Sequence, residues 1–142
     1  MPVEVLLVED SPGDARLTQE AFHAVNSAVH LHVANDGVEA MAYLRHEGVY
    51  AEAPRPDLTL LDLNMPRMDG REALAQIKQD KKLMTIPILI LTTSESESDI
   101  AKSYQLHANS YLCKPVQLSE FEGLVKSIND FWLTKARLPE TV

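Results

Sequence analysis

Acidic, hydroxylic and basic residues stand at the ends of four short apolar runs, where phosphate chemistry could be built. Glu9-Asp10 follows the run 3–8, Asp62 sits near the end of 58–63, Thr92-Thr93 follows 88–91, and Lys114-Pro115 follows 110–113. If these ends lie side by side, three carboxylates share one edge. Two unit charges about 4 Å apart repel by about 4 kcal/mol at an effective dielectric of about 20, so a cation must sit among them. Mg²⁺ suits the set, with Mn²⁺ as a substitute, because it prefers oxygen ligands, keeps several waters and takes one or two carboxylates plus phosphate oxygens. Lys114 adds a second positive charge. Together these cations would cancel the repulsion between an anionic nucleophile and an incoming phosphoryl group, making Asp62 the nucleophile of an acyl phosphate. The phosphoryl oxygens would then meet the metal, the Lys114 ammonium and a threonine hydroxyl, that of Thr92 or its neighbour Thr93. A hydroxyl drawn onto a new phosphate carries its loop along, which turns a local charge into a surface change.

The elements that must position these residues can be read from the runs themselves. Residues 3–8 are apolar and β-branched and lead at once into Ser11-Pro12-Gly13-Asp14, a helix start. Ser11 caps free N–H groups, Pro12 fits the first helical position, and Asp14 meets the positive end of the helix dipole. The helix is predicted to reach about Val25, with Leu17, Ala21, Phe22 and Val25 inward. The pattern then repeats. Residues 31–34 form a strand, and Asp36-Gly37-Val38-Glu39 opens a helix carrying Ala40, Met41 and Leu44 that stops near Gly48. The run 58–63 follows the turn Pro54-Arg55-Pro56-Asp57, and Asp69-Gly70-Arg71-Glu72 starts a helix toward Lys78. Residues 88–91 precede a helix over 100–107, ended by a left-handed cap at Asn109. Residues 110–113 give the fifth strand. Ser119 caps a last helix that buries Phe121, Leu124, Val125 and Ile128 and reaches about Lys135. Continuously apolar strands are covered on both faces, so five β–α units predict a parallel, doubly wound α/β sheet with right-handed crossovers. Ligands of such sheets bind at the carboxyl ends of the strands.

Composition narrows the function classes. One domain is expected over residues 1–142, with its core over about 3–135 and a short C-terminal tail. The net charge of −8 opposes binding to nucleic acid or anionic lipid. Apolar runs such as 88–91 are far too short to span a bilayer, and no basic-then-apolar leader opens the chain. With a single cysteine, Cys113, read as a small buried hydrophobe, the expected location is the cytoplasm. The histidines show no metal-ligating spacing: His30-x-His32 lies on a strand face, and His23, His46 and His107 sit on separate helices. Phe131, Trp132 and Leu133 give more apolar surface than one helix face buries, which points either to a dimer surface or to a tail folded back over them.

The run Leu60-Leu61-Asp62-Leu63-Asn64-Met65-Pro66-Arg67-Met68-Asp69-Gly70, with Val8-Glu9-Asp10, Leu91-Thr92-Thr93 and Tyr111-Leu112-Cys113-Lys114-Pro115, resembles the receiver domains of two-component response regulators. The resemblance covers almost the whole chain and implies a flavodoxin-like sheet of order 2-1-3-4-5 with five helices. It implies that a histidine kinase phosphorylates Asp62, and that Glu9, Asp10, Asp62 and the Asn64 backbone carbonyl hold Mg²⁺, Asp10 as the more direct ligand. Thr92, not Thr93, and Lys114 are implied to bind the phosphoryl group. Tyr111 is implied as an aromatic switch working with Thr92, Asn64 and Ser94 as positions that tune autodephosphorylation, and the Lys114-Pro115 bond as cis. The fourth helix, fifth strand and fifth helix are implied as the surface that changes. A closer resemblance is to the small regulators of bacterial and cyanobacterial phytochromes. It rests on Val8-Glu9-Asp10-Ser11, Gly70-Arg71-Glu72, Leu91-Thr92-Thr93-Ser94, Tyr104-Gln105-Leu106-His107 and Phe131-Trp132-Leu133. It implies a phytochrome kinase as partner and a homodimer.

Three other functions compete. A Mg²⁺-dependent phosphatase with an aspartyl nucleophile would also use Asp62 and a lysine, but it needs an acid two residues on, where Asn64 stands. A flavin-binding electron carrier of like topology needs a first loop that cradles phosphate, and Glu9, Asp10 and Asp14 would repel one. A scaffold without phosphorylation has no use for the acceptor, the acids, the threonine and the lysine together. No DNA-binding or catalytic segment is recognisable, so the signal must pass through protein contacts, and no sequence feature names the downstream target.

Overall fold

Short apolar runs become strands here because helices cover both of their faces. The computed structural model describes residues 3–139; residues 1–2 and 140–142, the ends of the expected 1–142 domain, lie outside the described residues. Strands β1 (Val3–Val8), β2 (Val29–Ala34), β3 (Leu58–Leu61), β4 (Ile88–Thr92) and β5 (Ser110–Cys113) alternate with helices α1 (Pro12–Val25), α2 (Gly37–Leu44), α3 (Gly70–Gln79), α4 (Glu97–Gln105) and α5 (Leu118–Asp130). Every strand pair is parallel, and the order is β2-β1-β3-β4-β5. This is the doubly wound sheet expected from the sequence.

The strands share out their side chains between two cores. On one side Val5, Leu7, Leu60 and Leu89 pack against Phe22 of α1 and Val125 of α5. On the other, Leu6, Val8, Leu61 and Ile90 meet Met41 of α2 and Leu74 and Ile77 of α3. Each fully buried Leu or Ile contributes about 1.5–3 kcal/mol relative to exposure.

Ser11, Asp36 and Asp69 cap their helices as expected, accepting from the N–H groups of Asp14 (3.2 Å), Glu39 (2.9 Å) and Arg71 (2.9 Å). Other boundaries differ. α4 starts earlier than its apolar residues suggest, because Ser96 caps it by accepting from Asp99 N. Past its end His107, not Asn109, takes the left-handed conformation (φ +73°), and the Asn109 side chain instead accepts from Ile88 N and Lys78 Nζ. His46 likewise lies beyond α2, at φ +58°. Gln117, not Ser119, stands at the start of α5. In α1 the buried face is Ala15, Thr18, Ala21 and Phe22, because steps of three and four from Ala15 through Thr18 reach Ala21 and Phe22; Leu17 is exposed.

α5 passes into a π turn over Phe131–Lys135, closed by Ala136 N donating to Phe131 O. Trp132 and Leu133 lie half-buried beside Ala136 and Leu138, while Phe131 stays 54% exposed. Trp132 and Leu133 thus line one groove with Ala136 and Leu138, while Phe131 is left in solvent. Cys113 is half-buried rather than in the core, with its Sγ 3.5 Å from the Ser94 carbonyl. The Lys114–Pro115 bond, expected cis, is trans, as are all peptide bonds among the described residues. Trans is the intrinsic preference of such a bond by about 0.5–1 kcal/mol, and in this form Lys114 N already closes β5 onto Thr92 O at 2.7 Å. No helix among the described residues is long and apolar enough to cross a membrane.

Candidate functional site

Parallel pairing in register brings the strand ends together. Val8 lies beside Leu61, so Glu9 and Asp62 leave adjacent strands at one level, and Asp62 N donates to Val8 O (3.1 Å). Thr92 pairs with Cys113, which sets Lys114 one residue beyond the edge. Oxygens of Glu9, Asp10 and Asp62 all lie within 4.8 Å of one another, with Glu9 and Asp62 buried and Asp10 open to solvent. An all-oxygen set with one exposed member that leaves room for waters fits a hard divalent cation such as Mg²⁺ or Mn²⁺. Asn64 lies on the loop leaving β3 with its side chain exposed.

Lys114 answers the same carboxylates. Its ammonium donates to Glu9, to Asp14 Oδ2 (3.2 Å) and to Asp62 Oδ2 (3.4 Å), with only 7% of its side chain exposed. Burial works against the charged ammonium, but the bond to Glu9 and the charges of Asp62 and Glu9 outweigh it and raise its pKa. Burial pushes the Glu9 carboxyl up, and the Asp62 charge adds to that push, against the pull of Lys114. The other oxygen of Asp62 accepts from Leu63 N (2.7 Å), which fixes how the carboxylate faces the pocket.

The β4–α4 loop carries the hydroxyls. Thr92 is wholly buried, whereas Thr93 is exposed, so burial separates two residues that spacing alone left equivalent. Among the described residues, Thr92 Oγ1 has only a long contact from Ser94 N, at 3.5 Å. Ser94 Oγ donates to Asp99 Oδ2 (2.7 Å), and Arg71 Nη2 holds the other oxygen of Asp99 (2.5 Å). These two bonds, that of Ser94 first, keep the Asp99 carboxyl below its usual range. Tyr111 is half-buried and donates its hydroxyl to the Ser94 carbonyl at 3.0 Å, which joins β5 to the same loop.

Sequence reasoning missed three contributors. Asp14, read only as a helix-dipole residue, is the third carboxylate on Lys114; its place on the first turn after Glu9-Asp10 was the available signal. Asp36, read as a cap, is a buried carboxylate whose Oδ2 accepts from Arg67 Nε (2.6 Å), and Arg67 sits at φ +64°. That pair, with Gly37 N donating to Met68 O (3.1 Å), straps the loop after Asp62 to the start of α2. Gly70 is required by the same loop: a Cβ there would run into the Asp62 carbonyl and Leu63 Cα.

Known proteins share this fold. The response regulator receiver domain matches residues 5–126. Response regulator Rcp1 of Synechocystis sp. is 47% identical over 97% of this chain and 94% of its own length. The crystal structure of the phosphorylated cyanobacterial phytochrome response regulator RcpA superposes with a TM-score of 0.95 at 50% identity, covering 99% of this chain and 100% of that one. The Mn²⁺-bound form of Rcp1 gives a TM-score of 0.92 at 47% identity over 98% and 100% of the two chains. A Mn²⁺-bound relative and an all-oxygen cluster agree on an acidic pocket for Mg²⁺ or Mn²⁺. The chain belongs to the response regulator receiver domain family.

Proposed function

We propose that Asp62 accepts a phosphoryl group from a histidine kinase and that the chain, acting as a single receiver domain, signals through the surface change that follows. The observation that carries this is one buried ammonium, Lys114, held at once by Glu9, Asp14 and Asp62 beside the buried hydroxyl of Thr92. A carboxylate oxygen of Asp62 attacks phosphorus as the P–N bond of a phosphohistidine breaks, and the electron pair of that bond stays on the imidazole. Lys114 and Thr92 then take up phosphoryl oxygens. Glu9, Asp10, Asp62 and the Asn64 carbonyl would hold a divalent ion, which would supply the charge that lets two anions meet. Asn64 and Ser94 tune how fast water removes the phosphoryl group, and Tyr111, bonded to the Ser94 carbonyl, is the aromatic switch.

Relatives named as phytochrome response regulators support a phytochrome kinase as the phosphoryl donor, with the meeting in the cytoplasm. The exposed Phe131 at the end of α5 supports a homodimer. Output runs through α4, β5 and α5; an amide spectrum of those elements unchanged by phosphorylation would defeat that assignment. The central test is the protein's mass after incubation with acetyl phosphate, with and without Mg²⁺, for the wild type and Asp62→Asn. A Mg²⁺-dependent, hydroxylamine-labile adduct confined to the wild type is expected. No adduct under any condition would leave a receiver-fold scaffold.

A further inference from the structure

Glu4, His30 and His32 lie away from the acceptor carboxylates, on the β1–β2 pair at the edge of the sheet. The register sets Glu4 directly beside His30, and His32, two residues on, returns to the same face. His30 Nδ1 is 3.1 Å from Glu4 Oε1, and His32 Nε2 is 2.8 Å from Glu4 Oε2, so one carboxylate gathers both imidazoles. The pair His30-x-His32 lacks a third ligand along the chain because only the strand order brings Glu4 across. We propose that Glu4, His30 and His32 form a second metal site, selective for a transition ion of the Zn²⁺ class rather than for Mg²⁺.

Donor chemistry separates the two sites. The acceptor pocket offers oxygen alone, which suits Mg²⁺ and Mn²⁺, whereas imidazole nitrogen suits Zn²⁺, Ni²⁺ and Cu²⁺. Two histidines and a carboxylate hold Zn²⁺ with a position left for water. The ligands are braced. Glu4 N–H donates to Asp57 Oδ2 (2.9 Å), its carbonyl accepts from Asp57 N (2.7 Å), and the His32 ring packs against Tyr43 with centroids 5.8 Å apart. The Tyr43 hydroxyl is buried without a hydrogen-bond partner. Burial and then the Glu4 charge push its pKa up to about 12, so it remains a donor. On entry the ion replaces the two hydrogen bonds, and the exposed His30 ring turns toward Glu4 and the packed His32 ring. His30, with 54% of its side chain exposed, leaves the way in open. A bound ion clamps β2, which pairs with β1 alone, onto the sheet.

Co²⁺ is the probe. It is titrated at neutral pH into Asp62→Asn, which weakens the acidic pocket, while the visible ligand-field band of a low-coordinate, imidazole-bearing ion is followed. A saturable band is expected, weakened at least about tenfold by His30→Gln or His32→Gln, since loss of even an outer-shell partner costs that much. In the wild type, ring-proton resonances of His30 and His32 should broaden with Co²⁺ before those of His23, His46 and His107. A band indifferent to both substitutions, or broadening that spares His30 and His32, overturns the site. The second measurement decides even if a variant fails to fold.

Discussion

Replacing Lys114 with methionine keeps most of the stem and removes the charge. In the native protein that ammonium answers Glu9, with 3% of its side chain exposed, and Asp62, with 12%; the contact to the more exposed Asp14 is screened and adds little. Taking one member from a buried ionic group costs about 3–5 kcal/mol, because the remaining charges lose their partner. Glu9, already pushed toward its neutral form by burial, can relieve part of this by binding a proton. The loss should therefore fall at the lower end, about 3 kcal/mol at pH 7 in metal-free buffer. At about 2–4 °C per kcal/mol, that is a fall in Tm of about 6–12 °C. A divalent ion binds the same carboxylates, so saturating Mg²⁺ should restore more than half of the loss and stabilise the variant more than the wild type. Urea unfolding of both proteins, with Mg²⁺ and with chelator, measures the four free energies. A Lys114→Met penalty unchanged by Mg²⁺ would refute the reasoning, since lysine and ion would then be answering different charges.

Asp36→Asn should keep the helix cap but lose the ion pair to Arg67. The Arg67 bond holds the Asp36 carboxyl below its usual range, so its stabilisation is present above the unfolded value of about 3.9 and is lost as pH falls through the lower folded value. The variant should be less stable at pH 7, with the gap closing in acid; a gap of constant size from pH 7 into the acid range would count against the ion pair. Gly70→Ala should cost about 1–3 kcal/mol by overpacking against Asp62 and Leu63, read by thermal melting, with slower labelling by acetyl phosphate. Asp99→Ala releases the Ser94 hydroxyl and Arg71 together. It should change the lifetime of the phosphoryl group on Asp62 several-fold, and an unaltered decay rate would remove Ser94 from the tuning positions.

The strands and the acceptor pocket were legible because their signals are local and repeated, whereas the strand order, β2-β1-β3-β4-β5, followed only from the resemblance to receiver domains. Each strand is a continuous apolar run, and Glu9, Asp10, Asp62 and Lys114 each follow such a run within a residue or two. Cap positions with a short polar side chain, Ser11, Asp36 and Asp69, could be read for the same reason. What stayed hidden depends on distance in sequence. The Arg67–Asp36 and Lys114–Asp14 pairs span many residues, and neither partner carries a mark of the other. The start of α4 was hidden differently: Ser94, Glu95, Ser96, Glu97 and Ser98 alternate acids with hydroxyls, and several of them could cap equally well. The apolar stripe of α1 misled because Leu17 is larger than Ala15 and Thr18, yet burial there follows the geometry of Phe22 rather than hydrophobicity alone.

On the proposed function, the loop after β4 is where a charge on Asp62 must become a movement. Phosphorylation replaces the single charge of Asp62 with a phosphoryl group of about −1.5 to −2 beside an ammonium already committed to three carboxylates. Lys114 cannot serve the new oxygens without loosening its hold on Glu9 or Asp14, so a further donor gains from approaching. Thr92 is the buried hydroxyl on the neighbouring strand, and its one contact, at 3.5 Å from Ser94 N, is too long to restrain it. Two residues on, however, Ser94 is tied to Asp99 at the start of α4 and to Tyr111 in β5. Movement of Thr92 toward Asp62 must therefore either stretch those bonds or carry α4 and the tyrosine with it. On this proposal the path from phosphoryl group to surface is two peptide units long, and its far end is the Ser94–Asp99–Arg71 set of hydrogen bonds.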